Sequence, residues 1–384
     1  MTSGPTAFVG AEIFDGVSMH AGCALLVERE RVSAIVAEGE IPEGVPRHKL
    51  DGGTLAPGFV DLQVNGGGGV MFNDAQSVET LRCMAEAHAR LGTATILPTL
   101  ITDTAERTRA AIEAAVEAIA EGVPGIAGLH LEGPHLSLAR KGAHDPSLIR
   151  PMEDADLALL CDAAGRLPAL MTTVAPESVR NDQISALAAA GAIVSLGHTD
   201  SSYETCRASV RAGARCVTHL YNAQSQMGHR EPGVVGAALT EGALSAGLIA
   251  DFVHVHPAAI RVALAAKQGP GRIFLVTDAM APAGTDLDGF ILNGRRIERQ
   301  DGRLTLADGT LAGADLDLAT AIRNLTGTLG LTRAEALAMA TSVPAAVAGL
   351  SARHGHLAAG RVADMVHLDR ACHLAGVWMG GAAI

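Results

Sequence analysis

"IAGLHLEGPHL", residues 126–136, is an apolar run that ends in a histidine, a glutamate, a glycine, a proline and a second histidine. Its first half is apolar at nearly every position, not at every second one. That pattern belongs to a parallel strand covered by helices on both faces, not to a strand with one wet face. An acid where such a strand finishes stands out in a chain that is only 18% charged. Seven runs of the same kind surround it. "GFVDLQVN" (58–65) and "ATILP" (94–98) come before. "ALMTTV" (169–174), "AIVSLG" (192–197), "RCVTH" (215–219), "AGLIA" (246–250) and "IFLVT" (273–277) come after. Between them lie Ala-rich amphipathic stretches such as "ETLRCMAEAHARLG" and "RTRAAIEAAVEAIAEG". Strand then helix, eight times over, predicts an α/β fold, a (β/α)8 TIM-like barrel, with a doubly wound open sheet as the alternative.

The chain ends read differently. "AFVGAEIFDG", "CALLVERERVSAIVAEG" and "HKLDGGTLAPG" alternate apolar and polar residues and break at Gly and Pro. "GHLAAGRVADMVHLDRACHLAGVWMGG" closes the chain in the same style. We expect these ends, residues 1–56 and 358–384, to pair into a small β-sandwich domain interrupted by a barrel at 57–357. "FILNGRRIERQDGRLTLADGTLAG" (290–313) reads as a hairpin excursion from the barrel.

Composition narrows the function classes. The 384 residues are 48% hydrophobic and carry a formal net charge of −12. No basic run is present, so nucleic acid and anionic membranes are poor partners. An anionic substrate would need local positive groups to overcome that field. The six cysteines are scattered without a C-x-x-C pair, as reduced thiols in a cytosolic protein would be. No signal pattern or membrane-length apolar stretch is visible, so a cytoplasmic location is expected.

Chemistry in such a barrel sits at the C-terminal ends of the strands. The third run ends at Glu132, the fifth at His198 in "SLGHTD", the sixth at His219 in "VTHLYNA" and the eighth at Asp278 in "LVTDAMAP". A lone histidine at a strand end is ordinarily a hydrogen-bonded structural residue. One carboxylate and two imidazoles on one face instead match a catalytic metal site with an open position, zinc by preference. A further aspartate there suits the shuttling of protons to and from water.

These segments resemble the amidohydrolase superfamily and, within it, the N-acetylglucosamine-6-phosphate deacetylases. The resemblance rests on "APGFVDLQVNGGGGVMFND", "HLEGPHLS", "KGAHDP", "SLGHTD", "THLYNAQSQMGHREPG", "IADFVHVHP" and "LVTDAMAPAG", in the family's order across most of the barrel. It implies hydrolysis of an N-acetyl group on a small amino-sugar phosphate, in amino-sugar catabolism and cell-wall recycling, by a homodimer. It implies Glu132, His198 and His219 as ligands of one divalent metal, with zinc preferred over iron, cobalt or manganese, and Asp278 as general base and acid. Substrate contacts map onto Ala143, His144, Asn222, Ala223, Arg230, His254, Leu311, Ala312 and Gly313. Arg230 would be the bidentate phosphate partner. A different N-acyl sugar phosphate or a cyclic amide is the alternative substrate.

The first run departs from the broader superfamily. Where many members carry His-x-His, this chain has Gln63 and Asn65, and carboxamides are weak zinc ligands. One metal per chain is therefore expected. "HVHP" (254–257) looks like a metal pair, but the resemblance makes His254 a substrate contact. "NGGGG" (65–69) lacks the Lys-Ser/Thr of a phosphate loop. His130, His135 and His256 receive no role.

Overall fold

Eight parallel strands form one sheet in strict chain order in the structure, a computed structural model that describes residues 4–384. They are Phe59–Val64, Thr93–Ile101, Leu129–Glu132, Leu170–Val174, Ile193–Leu196, Cys216–Val217, Ser245–Leu248 and Ile273–Leu275. Every residue of the first two is buried, which is why their sequences show no period-two alternation. The sheet closes on itself where the first and eighth strands run out. There Asp278 N–H donates to Gln63 O at 3.0 Å and Asn65 N–H to Ala279 O at 2.8 Å. The expected barrel is therefore the observed one.

Helices return the chain outside the sheet. Several start at side-chain caps: Ser77 accepts from Thr80 N–H, Thr104 from Arg107 N–H and Ser202 from Thr205 N–H. Their buried faces are small. Ala111, Ala114, Ala115 and Ala118 of the helix Ala105–Ala120 let it sit close against the strands.

Both chain ends build two further sheets. One holds Arg31–Ala37, Cys23–Glu28, Thr6–Val9 and Arg47–Lys49 in that order. In the other, Met365–Leu368 lies antiparallel to Thr54–Pro57, joining the end of the chain to its beginning. Phe8, Ile13, Leu25, Val27, Met365 and Trp378 pack together between the two sheets. The small-domain sheet runs through Pro57, and the first barrel strand begins at Phe59.

The excursion after the eighth strand is larger than a hairpin. Gly289–Leu292, Arg295–Gln300, Arg303–Thr305 and Leu311–Ala314 form a four-stranded antiparallel meander. Its apolar face, Phe290, Leu292, Ile297 and Leu304, packs on Met71, Ile101 and Met280 at the barrel rim. Ala314 N–H donates to Asp278 O at 3.0 Å, so the meander is tied to the end of the eighth strand.

Candidate active site

The C-terminal rim of the barrel encloses a cavity of about 390 Å³. Glu132 is the last residue of the third strand; His198, His219 and Asp278 each lie two or three residues beyond theirs. These three hold left-handed backbones, with φ of 47°, 27° and 52°. Non-glycine residues rarely adopt this region, and each such residue costs about 1–3 kcal/mol. Tyr221, Ala223 and Phe252 on neighbouring rim loops do the same. Strain is thus concentrated where the strand-end residues turn into the cavity.

Ligand atoms of Glu132, His198 and His219 lie within 4.8 Å of one another, and all three residues are buried. Both imidazole Nε2 atoms approach one oxygen, Glu132 Oε1, at 3.2 Å and 3.0 Å. They are also 3.1 Å from each other. His198 Nδ1–H donates to Arg140 O at 2.8 Å, so its Nε2 lone pair is the one that points inward. Three lone-pair atoms this close together in a buried site are arranged as the ligands of a cation would be. The donor set fits a divalent metal of the zinc type. Burial pushes the Glu132 carboxyl up, but the two imidazoles set against Oε1 outweigh this and hold it well below the usual carboxylate range.

Asp278 faces the same space. Asn65 Nδ2 donates to its Oδ1 at 2.7 Å and Gln63 Nε2 at 3.1 Å; Gln63 Nε2 also reaches Glu132 Oε1 at 3.2 Å. Gln63 therefore places its N–H donors between the two carboxylates, and Asn65 adds a donor to Asp278 alone. Burial and the Glu132 charge push the Asp278 carboxyl up to about 6, against the opposing pull of His219 and Asn65. Beneath it Asp61 accepts from Thr277 N–H at 3.1 Å and Gln63 N–H at 3.1 Å, joining the first and eighth strands. Asp61, Gln63 and Asn65 alternate along one strand and so share its inward face. That spacing was the sequence signal for the partners of Asp278.

His144 lies edge-on to His198, ring centres 4.3 Å apart. Its Nδ1 accepts from Thr102 N–H at 3.3 Å, which leaves Nε2 as the protonated nitrogen. Burial, aided by the nearby His198, pushes its pKa down to about 3. The ring is thus a neutral N–H donor and a poor proton shuttle.

Ala143, Asn222, Ala223, His254, Leu311 and Gly313 line the cavity with the groups above. Gly313 has φ 68°, and a Cβ there would fall 2.5 Å from Met280 Cγ, so the close approach needs glycine. Ala312 departs from the expectation. Strand alternation turns its methyl away, into the cluster with Phe290 and Met280. Arg230 also departs from it: the residue is exposed on the loop before the helix Gly233–Thr240 and does not line this cavity. The unassigned histidines have structural partners. His130 Nε2 bonds Thr173 Oγ1 at 2.7 Å, His135 Nδ1 bonds Arg150 O at 3.1 Å, and His256 Nδ1 caps the helix Pro257–Ala266. A larger cleft of about 540 Å³ lies at the opposite end of the barrel, beside Ser245 and Arg272, away from every residue of this site.

Residues 54–383 match the amidohydrolase family. This chain belongs to that family. The amidohydrolase is 41% identical to an N-acetylgalactosamine-6-phosphate deacetylase from Shewanella sp. (strain ANA-3), over 97% of this chain and 94% of that one. It is 34% identical to an N-acetylglucosamine-6-phosphate deacetylase from Haemophilus influenzae, over 94% of each. Among solved structures, the N-acetylglucosamine-6-phosphate deacetylase of Pasteurella multocida superposes with a TM-score of 0.94 at 34% identity, covering 99% of both chains. The Mycobacterium smegmatis deacetylase in complex with N-acetyl-D-glucosamine-6-phosphate superposes with a TM-score of 0.89 at 32% identity, again over 99% of both.

Proposed function

We propose that this amidohydrolase hydrolyses the acetamide C–N bond of N-acetyl-D-glucosamine 6-phosphate, yielding acetate and D-glucosamine 6-phosphate. One observation carries the reading: the Glu132, His198 and His219 donor set and a braced Asp278 open into one cavity with His144 and His254. Support comes also from deacetylases alike over nearly the whole chain.

Glu132, His198 and His219 would hold one divalent metal, zinc by preference. Such an ion supplies Lewis acidity toward a carbonyl and makes water more acidic. Asp278 takes the proton from the attacking water and returns it to the departing amine nitrogen. Gln63 and Asn65 keep its carboxylate ionised and aimed for the first of these steps. His144 offers Nε2–H to the acyl oxygen, where negative charge develops. With carboxamide donors at the first strand, one metal per chain suffices.

Phosphate recognition falls to His254 and Arg230. Among the described residues no lysine or arginine lines the cavity. Because Arg230 is exposed, its guanidinium has to arrive from elsewhere, and a homodimer would supply it from a second copy. A cytoplasmic location is part of this reading; among the described residues no helix is long and apolar enough to cross a membrane.

The galacto epimer is a second reading, favoured by the 41% identity to a galactosamine-type deacetylase. Acetate release from the two epimers, and from their unphosphorylated forms, tests both. A gluco preference of about tenfold or more in kcat/KM supports the main reading, and the reverse preference supports the second. Release from none of the 6-phosphates would refute both.

A further inference from the structure

His254 is the cavity histidine that neither the donor set nor the acyl group takes up. His198 and His219 belong to the donor set, and His144 is held neutral. His254 is itself clamped. Its Nδ1 bonds Asp251 Oδ2 at 2.6 Å, while Asp251 Oδ1 accepts from His254 N–H at 2.8 Å and Val253 N–H at 2.9 Å. The side chains are only 7% and 5% exposed. Phe252, inside the three-residue turn, takes a left-handed φ of 66° to close it. Among the described residues nothing engages His254 Nε2, and the residue lines the cavity.

We propose that Asp251 is a positioning residue for the substrate phosphate, an inference that rests on the sugar-phosphate reading above. It grips His254 by Nδ1, fixes the ring plane, and leaves Nε2 facing the phosphate oxygens, with a proton shared between them. Burial alone would raise the Asp251 carboxyl; the hydrogen bond and charge of His254 reverse that and hold it below its ordinary value, so the carboxylate is ionised. Asp278 also feels the charge of His254. Asp251 makes no contact with the reacting atoms in this account; it acts through the imidazole.

A double-mutant cycle tests this on the metal-loaded protein. Asp251→Asn keeps an acceptor for the turn but removes the charge. It should raise KM for N-acetyl-D-glucosamine 6-phosphate about tenfold or more while kcat stays within about twofold. On a His254→Gln background the same change should raise KM by less than about twofold, because the residue acts through a ring that is gone. An equal effect in both backgrounds, or a fall in kcat at unchanged KM, overturns the proposal. If Asp251→Asn does not fold, 15N-histidine spectra of the unaltered protein with inorganic phosphate decide. Phosphate should shift the Nε2 resonance of His254 while Nδ1 keeps its hydrogen-bonded signature, and an unshifted Nε2 or a freed Nδ1 overturns the proposal. If His254→Gln leaves KM for the 6-phosphate unchanged, the sugar-phosphate reading has failed, whereas a KM effect of His254→Gln that Asp251→Asn does not share fails the positioning role alone.

Discussion

Asp278 shows how single residues divide the labour. Its carboxyl has to be ionised to accept a proton, yet burial and Glu132 push it up to about 6. Asn65 and Gln63 pull the other way by donating to Oδ1. A raised carboxyl is protonated earlier on acidification, so kcat/KM should fall as pH drops through the value this group takes in the working enzyme. A bound cation would lower that value below about 6. Asn65→Ala removes the shorter donor and should move the acid limb of the pH–rate profile to higher pH, while the unmutated enzyme keeps it lower. An unmoved limb would mean that Asn65 does not tune Asp278. Asp278→Asn keeps the shape and loses the proton cycle. It should retain metal and cut turnover by about two to four orders of magnitude. Loss of metal instead would make Asp278 a ligand.

The elements explain which of these facts were legible in the sequence. Parallel strands buried on both faces gave apolar runs at all eight positions, and their ends marked Glu132, His198, His219 and Asp278. The contacts that tune them were less legible because they join distant segments. Thr102 meets His144 only when the second strand's end reaches the "KGAHD" loop, and the Asp251–His254 grip depends on a turn that sequence does not announce. The meander hid in a stretch read as a hairpin, and strand alternation then turned Ala312 away from the cavity. The seam between the first and eighth strands depends on Asp61. Asp61→Ala would leave Thr277 N–H and Gln63 N–H without their buried acceptor, at about 1–3 kcal/mol for each unmet group. The thermal unfolding midpoint should drop by several degrees, and an unchanged midpoint would show that the seam does not need this carboxylate.

For the whole molecule, the open issue is where the phosphate's second positive group comes from. Arg230→Ala should lower kcat/KM for the 6-phosphate by about two orders of magnitude or more, given about 1.5–3 kcal/mol or more for a charge-assisted pair. If a second copy supplies Arg230, Arg230→Ala chains co-refolded with Asp278→Asn chains should regain activity that neither has alone. A mixture that stays inactive would place Arg230 in its own chain's site or outside catalysis. If one metal centre in this barrel drives deacetylation, titrating metal-stripped protein with zinc while following acetate release from N-acetyl-D-glucosamine 6-phosphate will show it. Almost no release is expected without metal, with a rise that levels off at one equivalent per chain. Undiminished release from the stripped protein, or a rise that continues to two equivalents, would contradict it.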